Sequence, residues 1–274
     1  MNPTLDLTAP APPQVVDCAV AAYATQRATA EAIPRLRQRP APLTGEPFPT
    51  SFLKHVDDQT VVGLAAVVDA IERHQLDPTS FRDWGVIAAP RFLGRVALAS
   101  ALNRFGLEGA WGISPHLIPH RSLHSVSGTV SQALKIQGPN IGVGGGPHAA
   151  AEALIVAGGM VADDRLPGIW VVMTGYDPEC TPDNAADGSA QPGSVPVVGA
   201  VALALLREET RTCRLRLHIS WGAVQPDAFD PAKTSASWPM FTLNALLEAL
   251  SDEQTASVTG WRLRNGWAAL EAVK

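Results

Sequence analysis

Apolar and polar positions fall into two regular patterns along this chain. Short, wholly apolar runs alternate with longer stretches in which apolar residues return every third or fourth position, the marks of buried strands and amphipathic helices. Val15–Ala22, apolar apart from Asp17, is a candidate first strand. Between Gln59 and His74, Val62, Ala65, Ala66, Val68, Ala70 and Ile71 recur at helical spacing, with charges towards both ends. Asp77-Pro78 reads as the stop, because proline disfavours helical geometry in the residue before it. Trp84–Ala89 suits a buried strand, and Arg91–Phe105 a helix closed by Gly106 as its C-cap. Ser125–Leu134 predicts a helix, Gly138-Pro139 a turn, Asn140–Val143 a short strand, and Pro147–Met160 a strongly apolar helix. Gly168–Thr174 reads as another buried strand. Val195–Leu206 and Arg211–Ser220 flank Glu208-Glu209 and predict an antiparallel hairpin. Trp238–Leu250 predicts a helix and Gly260–Arg264 a last short strand.

Helices alternating with fully apolar strands argue for an α/β fold, a mixed sheet with helices on both faces. Residues 1–50 read as an N-terminal arm holding the first strand and a proline-rich loop at Arg35–Pro49. Residues 51–222 read as the main α/β domain, and 223–274 as an extension packed on it. The polar, Gly/Pro-rich stretch Pro178–Pro192 predicts a surface loop. No internal repeat is visible.

Composition narrows the function classes. Of 274 residues, 46% are hydrophobic and 17% charged, enough for a sizeable core and unlike a disordered chain. The net charge of −5 and the scattered Lys and Arg argue against nucleic acid as a partner. The longest apolar stretches, Ala149–Ala162 and Val195–Leu206, fall short of the ~20 residues of a membrane helix. With no basic start ahead of an apolar segment, the N-terminus does not read as a signal peptide, so a soluble cytoplasmic protein is expected. Cys18, Cys180 and Cys213 are odd in number and far apart, which excludes a fully paired disulfide framework and a CxxC knuckle.

The chemistry concentrates in Ser114–Ala157, SPHLIPHRSLHSVSGTVSQALKIQGPNIGVGGGPHAAAEALIVA. It spells a helix, a Gly-Pro turn, a short strand, a glycine-rich bend and a helix with small residues at its start. Such a bend sets the next side chain at a helix N-terminus, where backbone N–H groups and the helix dipole stabilise an anion and lower a thiol's pKa. Ser114-Pro115, Pro119, Gly128 and Gly138-Pro139 match, without a gap, the SP…P…G…GP pattern of the β-ketoacyl synthases, members of the thiolase-like superfamily. Gln59–Ile71 resembles the early helix of those enzymes, Trp84–Ala89 the strand after it, and Trp170–Gly175 the strand that ends in a glycine-rich turn. The resemblance covers about residues 50–175 and fades after the 195–220 region. It implies a thiolase-like layered fold, roughly the N-terminal half of a ketosynthase with a short extension.

Two departures from the family decide the expected role. In the family, the strand after Gly-Pro leads to the cysteine that accepts the acyl chain from a carrier-protein thioester. Ungapped counting puts that slot on Pro147, with Gly144, Gly145, Gly146 and His148 around it and no thiol within one residue. The family's second half supplies two catalytic histidines, whereas the residues after Leu206 contain one, His218. Relatives without the cysteine include chain-length factors, which pair with an active synthase. The resemblance therefore implies a non-catalytic subunit, with an active ketosynthase and acyl carrier protein as partners, or a homodimer. The contact would run through Asn140–Val143 and Pro147–Met160, where Ala149, Ala150, Ala151 and Ala153 are small enough for two backbones to approach.

Rival readings stay open at this stage. An altered thioester hydrolase, decarboxylase or acyltransferase would use His148 or His124 as base and the bend's N–H groups as an oxyanion hole. A third reading is a protein that holds an acyl chain or carrier protein without chemistry. No cofactor is expected: Pro147 breaks the GxGxxG pattern, so Gly142–Gly146 is not a dinucleotide loop. His116, His120 and His124 are spaced by four, but Pro115 and Pro119 argue against one continuous helix and hence against a zinc site; His120 and His124 read instead as residues at a pocket mouth. Asp57-Asp58 and Glu208-Glu209 are sequence neighbours, which do not face each other, so neither is a carboxylate dyad. No GxSxG elbow is present, and Trp238, Trp261 and Trp267 read as packing anchors.

Overall fold

The computed structural model describes residues 14–163, 165–181, 195–207, 215–221, 238–251 and 258–273. Its strands are β1 (Gln14–Thr29), β2 (Gly85–Pro90), β3 (Asn140–Gly142), β4 (Ile169–Asp177), β5 (Val197–Arg207), β6 (Leu215–Trp221), β7 (Val258–Leu263) and β8 (Gly266–Ala272). They form one mixed sheet in the order β3-β2-β4-β5-β1-β6-β8-β7. β2 runs parallel to β3 and β4, and the remaining pairs are antiparallel. The helices are α1 (Ile33–Leu36), α2 (Asp58–His74), α3 (Arg95–Glu108), α4 (Leu117–Arg121), α5 (His124–Leu134), α6 (Ala149–Ala162) and α7 (Leu243–Ser251).

Because side chains alternate along a strand, each apolar strand feeds two cores. Trp170 and Val172 of β4 pack with Val62, Ala66 and Val126 beneath α2 and α5. Ile169, Val171 and Met173 pack with Leu154, Ala157, Leu246 and Leu247 beneath α6 and α7. Helices thus cover both faces of a mixed sheet, as the apolar pattern predicts. β1 exchanges its faces through an irregularity: its register shifts between Val20 and Ala22. Cys18 and Val20 face α6 and α7, while Ala22 and Ala24 face α2 and α5. One extra residue exchanges the faces of everything that follows it.

The predicted hairpin of β5 and β6 is not formed. β1 lies between them, pairing with β5 through Cys18–Thr29 and with β6 through Gln14–Val20. The physical reason is length: β1 continues past Ala22 through the polar Thr25, Gln26 and Arg27, which hide it from an apolar-run criterion. It is then long enough to serve two partners. Glu208-Glu209 fall outside the described residues, as do residues 1–13, 182–194 and Cys213.

Helix ends move for equally local reasons. α2 stops at His74, where Gln75 takes the left-handed conformation (φ 54°), and Pro78 instead opens a 3₁₀ turn capped by Asp77. α3 starts at Arg95 rather than at residue 91; Gly106 lies inside it, and Gly109 (φ 68°) ends it. α6 starts at Ala149, not Pro147. Trp238–Thr242 stay outside α7, and Met240 bridges to Arg262 beside β7. β8 is an element the sequence pattern does not predict, although Asn265-Gly266 between two apolar runs is a recognised hairpin signal. Trp261 packs edge-on against Phe241, and Trp267 against Trp238, as packing anchors. Among the described residues no helix is long and apolar enough to cross a membrane.

Candidate functional site

The glycine bend between β3 and α6 is tightly filled by its own chain. Gly144 (φ 75°) and Gly145 (φ 103°) need left-handed conformations that other residues seldom adopt. A Cβ on Gly142 would lie 2.5 Å from the Leu123 backbone, and one on Gly145 2.8 Å from a Leu123 methyl. The Gly145 carbonyl accepts the Phe92 N–H at 2.9 Å, and the Val143 N–H donates to Ala88 at 2.8 Å. The bend is therefore wedged between the β2–α3 turn and the start of α5.

Pro147 and His148 follow as exposed residues. His148 is the N-cap of α6, with its side chain making no capping hydrogen bond. α6 begins only after the bend has carried the chain to the surface, which leaves His148 in water in the single chain. Ala149, Ala151 and Ala153 are buried in the chain's own core, and Ala150 is half-buried. Three of the four small residues thus serve contact with this sheet and are not free for a second backbone.

The three histidines spaced by four are split. α4 ends at Arg121, Ser122 is extended (ψ 162°), and α5 starts at His124. His124 is exposed, with Nδ1 3.5 Å from the Ser127 hydroxyl. His116 and His120 gather instead with His55, whose ring stacks on that of His116 at 4.4 Å and lies 6.1 Å from that of His120. Partial loss of water, followed by the neighbouring His116 and Lys54 charges, lowers the pKa of His55. His120 is lowered by burial first, then by His116, His55 and Arg121. Among the described residues no His, Cys, Asp or Glu cluster has metal-binding geometry.

Beside the bend, across Phe92, opens a cleft of about 540 Å³. It lies at the C-terminal ends of the parallel strands β2 and β4, where open α/β sheets hold ligands. Its walls come from the start of α2 (Asp57, Asp58), the first turn of α3 (Arg95), Arg121, and the segment after β4 (Glu179, Cys180). A buried network fixes these walls. The Gln59 amide accepts from Thr174 Oγ1 at 2.8 Å and donates to the Arg91 carbonyl at 3.0 Å. That pins the turn in which Phe92 (φ 53°) and Gly94 (φ 70°) take left-handed conformations. A Cβ at Gly94 would meet the Arg121 carbonyl at 2.5 Å.

Charge in the cleft is paired in three places: Arg121 with Asp57, Arg37 with Asp58 at 3.1 Å, and Arg91 with Glu179 at 2.9 Å. Burial nonetheless raises the pKa of Asp57, outweighing Arg121, and raises that of Glu179 against Arg91. Burial, then Glu179 and Asp57, pushes the Cys180 thiol up, so it stays protonated where a nucleophile needs the thiolate. Cys18 is fully buried. The Tyr176 hydroxyl is held far above the ordinary tyrosine range by burial and by Asp57 and Asp58, and is a neutral donor. Asp57, adjacent to Asp58, acts as the N-cap of α2, accepting the Gln59 N–H at 2.9 Å. This cleft is not foreshadowed by sequence spacing, since its residues come from five separate segments; the Asp57 cap ahead of an apolar helix is the one signal available.

No protein-family model matches the sequence, and no curated protein matches it significantly. Solved structures do match. One is described as the ishigamide ketosynthase/chain length factor, with TM-score 0.56 and 14% identity over 94% of this chain and 100% of the other. Another is the ketosynthase ApeO in complex with its chain length factor ApeC from Xenorhabdus doucetiae, with TM-score 0.55 and 13% identity over 93% and 99%. A third is AntDE:AntF, an acyl-carrier protein of a type II polyketide synthase with its ketosynthase, with TM-score 0.52 and 15% identity over 70% of this chain. This chain spans 63% of the length of that third chain. The fold is the thiolase-like fold of the ketosynthases.

Proposed function

We propose that this chain is a non-catalytic ketosynthase-like subunit, of the chain-length-factor type, that pairs with an active ketosynthase in polyketide or fatty-acid synthesis on an acyl carrier protein. The observation that carries the reading is a group of large apolar side chains that, among the described residues, stay exposed. No residue of α3 is buried, and Leu102, Phe105, Leu107, Trp111 and Ile118 are 53–99% exposed. Large apolar side chains left in water along one stretch of chain, Leu102 to Ile118, favour an interaction surface. Phe92, just before α3, and Leu123, just after α4, both contact the bend, and the bend follows β3, which stands at the edge of the sheet.

Pro147 in the nucleophile's slot supports the non-catalytic part, together with the protonated thiol of Cys180. The kind of structure matched supports the subunit type. The alignment takes in nearly the whole of the other chain in the two ketosynthase/chain-length-factor structures, against 63% of it in the carrier-protein complex.

Intact-protein mass after incubation with an acyl-carrier-protein thioester tests the reading. The expected result is unmodified protein and an unhydrolysed thioester. A stable acyl adduct that disappears in Cys180→Ala would place the protein among the enzymes instead.

A further inference from the structure

We infer that the cleft at the ends of β2 and β4 binds a small organic anion, its phosphate or carboxylate group held by Lys54 and Arg95 and its apolar part lying on Phe92 and Val96. This inference is independent of the subunit reading, since it rests on other side chains and needs no partner.

The charge pattern carries it. Four cations line the cleft, Arg37, Lys54, Arg95 and Arg121, against three carboxylates, Asp57, Asp58 and Glu179. Arg37 and Arg121 are used by Asp58 and Asp57, and Glu179 is paired by Arg91 from behind the wall. Among the described residues Lys54 and Arg95 make no ion pair. Both are exposed at the rim, with the stacked rings of His55 and His116 next to Lys54. The Arg95 guanidinium is held 4.8 Å over the Phe92 ring, an arrangement that orients its donors without neutralising its charge. A guanidinium in that position presents the fork that matches carboxylate and phosphate oxygens.

Depth and donors fit the same class of ligand. The cleft has the volume of a small-molecule site and is lined by apolar Val56, Phe92 and Val96 as well as by the charges. Tyr176 lines this space as well, and its hydroxyl makes no hydrogen bond among the described residues, so it is available as a donor. A long acyl chain is a poor match, because charged side chains would lose water against it without a partner. Asp57, Asp58 and Glu179 bind no anion themselves. They keep the three paired arginines in place and leave the excess charge on Lys54 and Arg95.

Calorimetric titration of the isolated full chain with inorganic pyrophosphate, and separately with succinate, tests this and separates the two ligand chemistries. The expected result is binding of at least one of them with a Kd below about 1 mM at low salt, weakened as salt screens the charges. Arg95→Gln and Lys54→Gln should each weaken it by about tenfold, whereas Arg165→Gln, whose guanidinium is paired with Asp163 outside the cleft, should leave it unchanged. Thermal melts of the variants check that each is folded, as expected for rim side chains. No binding of either anion at about 10 mM, or binding unaffected by both cleft substitutions, overturns the inference.

Discussion

His218 shows what a single residue does in this sheet. It is buried on β6, with Nδ1 2.6 Å from Asp17 of β1 and Nε2 3.2 Å from Glu271 of β8, so one ring ties three strands together. Removing it leaves two carboxylates facing an empty site. His218→Ala should therefore cost about 2 kcal/mol in urea unfolding, the range for leaving buried hydrogen-bonding groups without a partner; a loss under about 0.5 kcal/mol would show that the cluster does not stabilise the sheet. The family resemblance implies that a catalytic pair of histidines is missing, and His218 stands here as a cross-strand tie.

His55 and His120 give a pH dependence of definite sign. Both rings have pKa values below the ordinary 6.5, so the unfolded chain takes up their protons first as pH falls. Stability from this source is full above 6.5 and is lost as pH falls through the lower folded values. Asp57 and Glu179, raised by burial, act in the opposite direction, with stability lost as pH rises from the carboxylate range towards their folded values. The histidine part is isolated by comparison: the fall in Tm between about pH 7.5 and 5.5 should be shallower in His120→Gln than in the wild type. Equal slopes would mean that the histidine cluster carries no linkage. Nothing in the spacing of His55 points to His116, since only folding stacks them.

At the scale of elements, the site depends on two bends and a buried amide. Gly142→Ala would drive a methyl to 2.5 Å from the Leu123 backbone. It should destabilise by about 2 kcal/mol, the usual range for overpacking, and should loosen the start of α5 in hydrogen exchange. Gln59→Leu leaves Thr174 Oγ1 and the Arg91 carbonyl without partners and should cost about 2 kcal/mol. A neutral result in chemical denaturation for either would contradict the view that these contacts set the cleft's walls. Apolar runs locate most strands to within a few residues, because burial on both faces demands such runs. They do not reveal where polar residues extend a strand, as at Thr25–Arg27, nor which strands become neighbours. The central place of β1 is a long-range pairing, and local pattern carries no information about it. The glycine bend is legible for a related reason: Gly144 and Gly145 occupy conformations that few other residues accept. The cleft is not, because Lys54, Arg95 and Tyr176 meet only once the sheet has formed.

At the scale of the whole molecule, α3 contributes to two features of opposite character, its first turns lining the cleft and its later residues standing exposed. One is the charged cleft, where Lys54 and Arg95 remain without ion-pair partners among the described residues. The other is the set of exposed apolar side chains from Leu102 through Trp111 to Ile118. The fold is that of the ketosynthases, and the chain-length-factor reading rests on what this particular chain leaves exposed. Co-expression with an intact ketosynthase, followed by size exclusion with light scattering, measures that reading most directly. The account predicts a 1:1 complex that is lost in Leu107→Glu and Trp111→Glu, both of which still fold because their side chains touch little of the chain itself. A protein that elutes as a strict monomer well above about 1 μM, with the ketosynthase eluting apart from it, would contradict the account.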